Sequence, residues 1–312
     1  MYIIGAGMAG LLAAHYFRHR DPSILEAQPE LPLNHEALLR FRSSTVGEIT
    51  GVPFRSGTVR KSIVAFDTFT DKATPYLANL YSRKVTGRVM NRSIWSLDEC
   101  TRFVAPPDLI RRMAKGLDIN YFATVDDLDH IRKLAAEGPV ISTIPMPMMM
   151  RIVGWRDVPA FESRPIWSIQ AKIIDPPCDV FQTIYYPDPA VPQYRASITG
   201  DTLLVEFIRE PPTIGEVLDR VVDDFGLGPV RWIGPEPLKK QRYGKINPIN
   251  EDLRREFIYT MTREYGIYSL GRFATWRQIL LDDVAKDCEV ISKLIGAEAR
   301  RLDYAHSLLT SR

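Results

Sequence analysis

Cysteine is scarce: Cys100, Cys178 and Cys288 are the only three in 312 residues. They are scattered and odd in number, which excludes a disulfide framework. There is no C-x-x-C pair and no His/Cys grouping with metal-ligand spacing, so no metal is expected. Reduced thiols suit a cytoplasmic protein. Long apolar runs are also missing, and none approaches the ~20 residues that cross a bilayer. The apolar stretch at residues 1–14 lacks the basic lead that a secretory signal carries. No membrane partner is therefore expected. G-x-S-x-G, H-E-x-x-H and Walker A patterns are absent, which leaves hydrolase and nucleotidase readings without support. No internal repeat or low-complexity tract interrupts the chain. Hydrophobic residues make up 45% and charged residues 25%, which excludes disordered and collagen-like classes. The length suits about two domains.

Charge is informative locally. The whole chain carries +2, but residues 40–115 hold 14 Lys/Arg against 6 Asp/Glu. A local excess of +8 points to an anionic ligand or to a solvated basic face.

The chain opens as strand, turn and helix: Tyr2-Ile3-Ile4, then Gly5-Ala6-Gly7-Met8-Ala9-Gly10, then an apolar helix of about ten residues. A second strand, Ser23-Ile24-Leu25, ends at Glu26. Residues 59–97 mix β-type and basic residues. Pro106-Pro107-Asp108 opens a short helix that Gly116 closes. The run from Leu117 to Val125 reads as a strand. Asp126 or Asp127 caps a helix that stops at Gly138. The strand Val140–Ile144 follows, leading into a Pro/Met loop in which Met146–Met150 fill the core at the hinge. From about residue 151 the pattern turns to antiparallel sheet. Gly200-Asp201 joins two strand-like runs as a hairpin. Thr213 to Glu216 reads as a capping box ahead of a helix ending at Gly226. Residues 257–262 and 265–272 read as strands. A long helix then carries Leu280, Val284, Cys288, Ile291 and Ile295 on one stripe.

The opening has the full context that a G-x-G-x-x-G pattern needs: a strand before it, a helix after it, and an acid 21 residues beyond Gly5. Gly5 permits the tight turn, Gly7 lets a pyrophosphate approach the backbone, and Gly10 lets helix pack on strand. The helix N-terminus offers free N–H groups and a positive dipole end to phosphate. Glu26 can accept ribose hydroxyls. Glu26-Ala27-Gln28 holds no cation, which disfavours a 2′-phosphate.

Three segments carry a family resemblance. IIGAGMAGLLAA…ILEA at the front, VISTIPM at 140–146 and YSLGRFATW…LLDDV at 268–284 resemble the amine-oxidase and UDP-galactopyranose mutase superfamily. That resemblance implies an α/β fold: a Rossmann-like FAD-binding domain at 1–58, 98–150 and 256–312. A mixed β-sheet substrate domain at 59–97 and 151–255 is inserted into it. It implies FAD as cofactor, bound by Gly5, Ala6, Gly7, Met8, Ala9, Gly10, Glu26, Ala27 and Thr143. Gly271 and Arg272 match the Gly-Arg pair whose arginine approaches the FAD phosphates. Ile279 and Leu280 fall where backbone N–H groups meet the flavin pyrimidine. The chain departs from the mutase branch at Trp276-Arg277-Gln278 and Leu280, and from the amine-oxidase branch in having Arg272 after Gly271. NHEALLRFRS, NLYSRKVTG, NRSIW, YRASITGD and RYGKINPI further resemble small flavoproteins of tailed phages, some of which act in thymidine hypermodification.

The implied activity is oxidation of a small amine or amino-acid-like group, free or on modified phage DNA, in the cytoplasm. The alternatives are a non-redox flavoenzyme of the mutase type and an FAD-containing binding protein. Lys245 is the candidate for the lysine that amine oxidases keep near the flavin. His35 is a candidate acid or base. Arg40 and Arg42 are candidates to clamp FAD phosphates or a substrate carboxylate. Tyr81, Arg83, Lys84, Tyr185 and Tyr243 are candidates to wall the substrate pocket.

Overall fold

The computed structural model describes residues 1–32, 38–91, 93–174, 176–233 and 238–310. The first half runs β1 (Tyr2–Ile4), α1 (Met8–Tyr16), β2 (Ser23–Leu25), β3 (Arg40–Phe41), α2 (Thr45–Thr50), β4 (Arg55–Ala65), β5 (Thr68–Thr70) and α3 (Pro75–Thr86). It continues with β6 (Cys100–Val104), α4 (Leu109–Ala114), β7 (Ile119–Asn120), α5 (Leu128–Glu137), β8 (Val140–Ser142) and α6 (Met146–Ile152). The second half runs β9 (Ser163–Ile173), β10 (Val180–Tyr185), β11 (Gln193–Gly200), β12 (Thr202–Phe207), α7 (Ile214–Phe225), β13 (Val230–Trp232) and β14 (Leu238–Ile246). It closes with α8 (Glu251–Tyr265), β15 (Ile267–Ser269) and α9 (Leu281–Thr310).

Two sheets organise the chain. The smaller is parallel throughout, in the order β15-β8-β1-β2-β7. Strand residues alternate between its faces, as the pleat requires. Ile3, Ile141 and Tyr268 meet α1 and α9, while Ile4, Val140 and Ile267 meet α6 and α8. The result is a helix–sheet–helix sandwich with β1 at the point where the strand order turns.

The larger sheet runs β13-β9-β12-β11-β10-β4-β6-β3, with β14 on β9 and β5 on β4. Its described pairs are antiparallel except β10 with β4. One face buries Ile169, Ala171, Ile184, Ala196, Leu203 and Val205 under α7. The other packs Ile63, Ile166, Tyr185 and Tyr194 against α3.

The expected α/β fold with a mixed second sheet is present, as is the hairpin at Gly200-Asp201. Other expectations are corrected. Residues 257–262 are helix, not strand, because Asn250 caps α8 and Phe257 and Met261 form a buried stripe at helical spacing. Within the 59–97 stretch of β-type and basic residues, to which the sequence assigns no single element, 75–86 forms a helix started by Thr74 and Pro75 and ended by Gly87 at φ +82°. The Met146–Met150 run is helix rather than loop, with Met146, Met149 and Met150 buried. Thr213 precedes α7, yet its hydroxyl makes no cap. Of the expected strand at 117–125, Ile119–Asn120 alone pairs. The boundary expected between 58 and 59 falls inside β4, and β3 and β6 belong to the larger sheet.

Candidate functional site

The site is built at the C-terminal ends of the parallel strands. Gly5 leaves β1 at φ +97°, and a Cβ there would stand 2.2 Å from Thr143 Oγ1. A Cβ on Gly10 would lie 1.9 Å from the Gly5 carbonyl oxygen. On Gly271, at φ +93°, it would stand 2.8 Å from the Cβ of Ala9. The protein's own packing therefore demands these three glycines.

Gly7 is different. Its φ of −67° suits any residue, and a Cβ there would meet nothing within 4 Å. It is the N-cap of α1, which has no side-chain cap and no acid in its first turn. The first-turn N–H groups of a helix lack intrahelical acceptors. Gly7 beside them is exposed, and the fold does not require its lack of a side chain. That arrangement fits an anionic group resting on the backbone.

Glu26 stands beside the turn. Its carboxylate accepts from Ala6 N at 2.7 Å and Gln28 N at 2.9 Å. A carboxylate has about four lone-pair sites, so capacity remains for hydroxyl groups. Ala27 is exposed next to it, and Met8 and Ala9 are half-buried in the turn. Thr143 donates its hydroxyl to Ile4 O at 2.8 Å, which holds the β8 loop against β1.

The other expected cofactor ligands are placed as follows. Arg40 is buried in the larger sheet. It donates to Thr199 Oγ1 at 3.0 Å, Thr183 Oγ1 at 2.9 Å, Gln182 O at 3.2 Å, and the carbonyl of Ile198. Burial, then the charge of Arg195, pulls its pKa down to about 10. Its fork is engaged by the sheet rather than directed at a phosphate. Arg42 pairs with Asp283 at the start of α9. Arg272 donates to Gly244 O at 3.1 Å and stacks on Phe273, tying the 271–278 segment to β14. Ile279 N donates to Arg277 O and Leu280 N to Asp283 Oδ2, so both amides have acceptors within the chain.

The expected substrate residues divide. Tyr81 and Tyr185 pack edge-to-face at 5.4 Å inside the α3 core. Both are buried where α3, which carries Tyr81, packs on the sheet that carries Tyr185, so they are core rather than pocket wall. Lys84 donates to the carbonyls of Tyr186, Asp188 and Gln193 at 2.6–2.8 Å, pinning α3 to the sheet. Burial is the main force drawing its pKa down to about 7, opposed by Asp188. Arg83 is exposed on α3. His35 lies outside the described residues, as does the side chain of Tyr243. Lys245 reaches the larger sheet's α3-side face, with Nζ 4.7 Å from the Tyr194 ring centre. There Glu206 accepts from Tyr194 at 2.7 Å and pairs with Arg195. Burial raises the Glu206 pKa, but Arg195 and Lys245 outweigh it and hold the carboxyl below its usual range.

Two residues were missed by sequence reasoning. Asp282, 5% exposed, accepts from Arg42 N, Ser43 N and Ser43 Oγ, and so fixes the end of β3 on α9. The Asp-Asp pair opening a long helix was its signal. Trp276 is buried at φ +46° and donates to Asn247 O at 2.9 Å, shaping the loop after Gly271. A cavity of about 580 Å³ lies along the larger sheet between Val104–Pro107 and Thr199–Thr202, and none of its lining residues belongs to the glycine turn.

Among the described residues, several of the cations in 40–115 are engaged within the chain. Arg40 and Lys84 are mostly buried, while Arg42, Arg55, Arg60 and Arg112 pair with acids. The local charge excess therefore does not by itself mark a phosphate-binding face. Among the described residues no helix is long and apolar enough to cross a membrane, and no His/Cys/Asp/Glu group suits a metal.

No family model and no curated protein matches the chain. Solved structures do. Reduced UDP-galactopyranose mutase superposes with a TM-score of 0.65 at 14% identity, covering 95% of this chain and 93% of that one. The chain shares the fold of that structure. An oxidoreductase from Methanosarcina mazei gives a TM-score of 0.52 at 9% identity, over 94% of this chain and 99% of its own. A flavoprotein/dehydrogenase from Cytophaga hutchinsonii gives 0.51 at 14% identity, over 92% and 74%. None of these three is described as a phage protein or as acting on DNA, so the narrower resemblance gains no support from them.

Proposed function

We propose that the chain binds FAD in the Gly5–Gly10 turn and acts as an FAD-dependent oxidoreductase. The observation that carries this reading is Gly7: the fold has no use for its missing side chain, whereas a backbone-bound diphosphate does. The names of the similar structures, a flavoprotein/dehydrogenase and an oxidoreductase among them, agree with it. When bound, FAD supplies an acceptor for a pair of substrate electrons.

The chain's own residues hold and orient in this reading. The first-turn amides of α1 receive the diphosphate, and Glu26 receives ribose hydroxyls. Asp282 keeps the 42–43 backbone in place beside α9. The substrate class we assign is a small amine or amino-acid-like group, which rests on the resemblance of segments 140–146 and 268–284 to amine-oxidase-type flavoproteins.

The test is the absorbance spectrum of the purified protein, followed by anaerobic titration with a panel of amines. Bound flavin that bleaches with an amine is the expected result. Purified protein that neither carries nor takes up FAD refutes the cofactor reading. Flavin that stays oxidised with every amine refutes the substrate class and leaves a non-redox, mutase-type reaction as the alternative.

A further inference from the structure

Phe122 is the most exposed large hydrophobic residue among those described, at 76%, and its neighbour Tyr121 is 38% exposed. Its φ is +58°, a left-handed conformation that a bulky L-residue adopts at a cost. The core gains nothing from this ring. Backbone bonds hold it in place all the same. Phe122 N donates to Gln28 O at 3.4 Å, and Ala123 N donates to Glu26 O at 2.9 Å. The segment therefore leaves the end of β7 and folds over the residues that follow β2.

Its position gives the exposure meaning. β1, β2 and β7 are successive neighbours in the parallel sheet. Ligands of such sheets bind beyond the carboxyl ends of the strands. Reading outward from β1, those ends present the Gly7 cradle, then the Glu26 carboxylate, then the Phe122 ring. That is the order of diphosphate, ribose and base in an ADP moiety. Strained, exposed residues cluster where a ligand uses them.

We propose that Phe122 is a stacking platform for the adenine ring, and that it makes the chain select a dinucleotide flavin over FMN. The inference rests on the FAD reading above and extends it to a residue outside the glycine motif. Phe122 is a binding residue here, with no part in the reaction.

The experiment titrates the flavin-free protein with ADP, FAD and FMN, using the wild type, Phe122→Ala and Phe122→Gly. Loss of one base–aromatic stack should weaken ADP and FAD about 5- to 150-fold and leave FMN unchanged. Phe122→Gly adds a control against a merely structural role. Glycine is at home at positive φ, so its melting temperature should equal or exceed that of the wild type while ADP affinity falls. Unchanged ADP and FAD affinity in both variants overturns the stacking role and leaves FAD binding standing. Equal weakening of FAD and FMN also overturns it. A wild-type chain that binds neither ADP nor FAD overturns both this inference and the cofactor reading.

Discussion

Substituting two glycines of one turn separates a ligand effect from a folding effect. Gly7→Val places a branched side chain where the Cβ meets nothing within 4 Å, at a φ of −67° and ψ of 175° that valine accepts. Gly7 is the N-cap of α1, where valine is less favourable than glycine, so the flavin-free protein should lose no more than about 1 kcal/mol. A diphosphate resting on the turn loses its close approach. A single hydrogen bond to a charged group contributes about 1.5–3 kcal/mol, so FAD affinity should fall about 10- to 150-fold. Gly10→Ala does the opposite. Its Cβ lands 1.9 Å from the Gly5 carbonyl oxygen, a backbone atom with no rotamer to move. Overpacking of this sort costs about 1–3 kcal/mol, so the variant should unfold earlier whatever its ligand. The assay pairs flavin-to-protein stoichiometry, read from absorbance, with a urea denaturation curve of the flavin-free protein. Gly7→Val that copurifies with full flavin would refute the placement of the diphosphate. A flavin-free Gly7→Val destabilised by clearly more than that cap effect of about 1 kcal/mol would refute the claim that its side-chain space is free.

Lys84→Met should lower the unfolding free energy from urea denaturation by about 1.5–3 kcal/mol, since three carbonyls lose a charged donor, while flavin content stays unchanged; a large loss of flavin would show that the residue serves the site. Asp282→Ala should cost about 1–3 kcal/mol by orphaning the amides of Arg42 and Ser43, and limited proteolysis should then cut first near residues 40–44. Hydrogen bonds from Arg254 lower the Glu251 pKa from 4.5 to about 2, assisted by Arg255. A depressed carboxylate contributes stability above pH 4.5 and loses it as pH falls towards 2. The carboxylate is half exposed, so the effect is small. Glu251→Gln should flatten the acid limb of the stability–pH curve in that window, and an unaltered limb would show that the pair contributes nothing.

The sequence by itself determined the elements whose causes are local. β1, the glycine turn, α1 and β2 follow from a strand, punctuating glycines and an apolar helix within 26 residues, signals that are local in the sequence. The hairpin at Gly200 and the caps at Asp127 and Gly226 are of the same kind. α8 was misread because its 257–262 run is β-prone residue by residue, while its cap and buried stripe extend over fifteen residues. The roles of Arg40, Lys84 and Tyr81 were not legible either. A cation two residues from another cation looks like a clamp until strands 140 to 160 residues away supply the acceptors that bury it. Tertiary structure alone decided which glycines the fold itself needs. Thr143 stands against Gly5 and Ala9 against Gly271, contacts across 138 and 262 residues, while among the described residues nothing stands within 4 Å of where a Gly7 Cβ would be. Local sequence carries conformational preference, whereas the space around a side chain is set by whatever distant segments pack there.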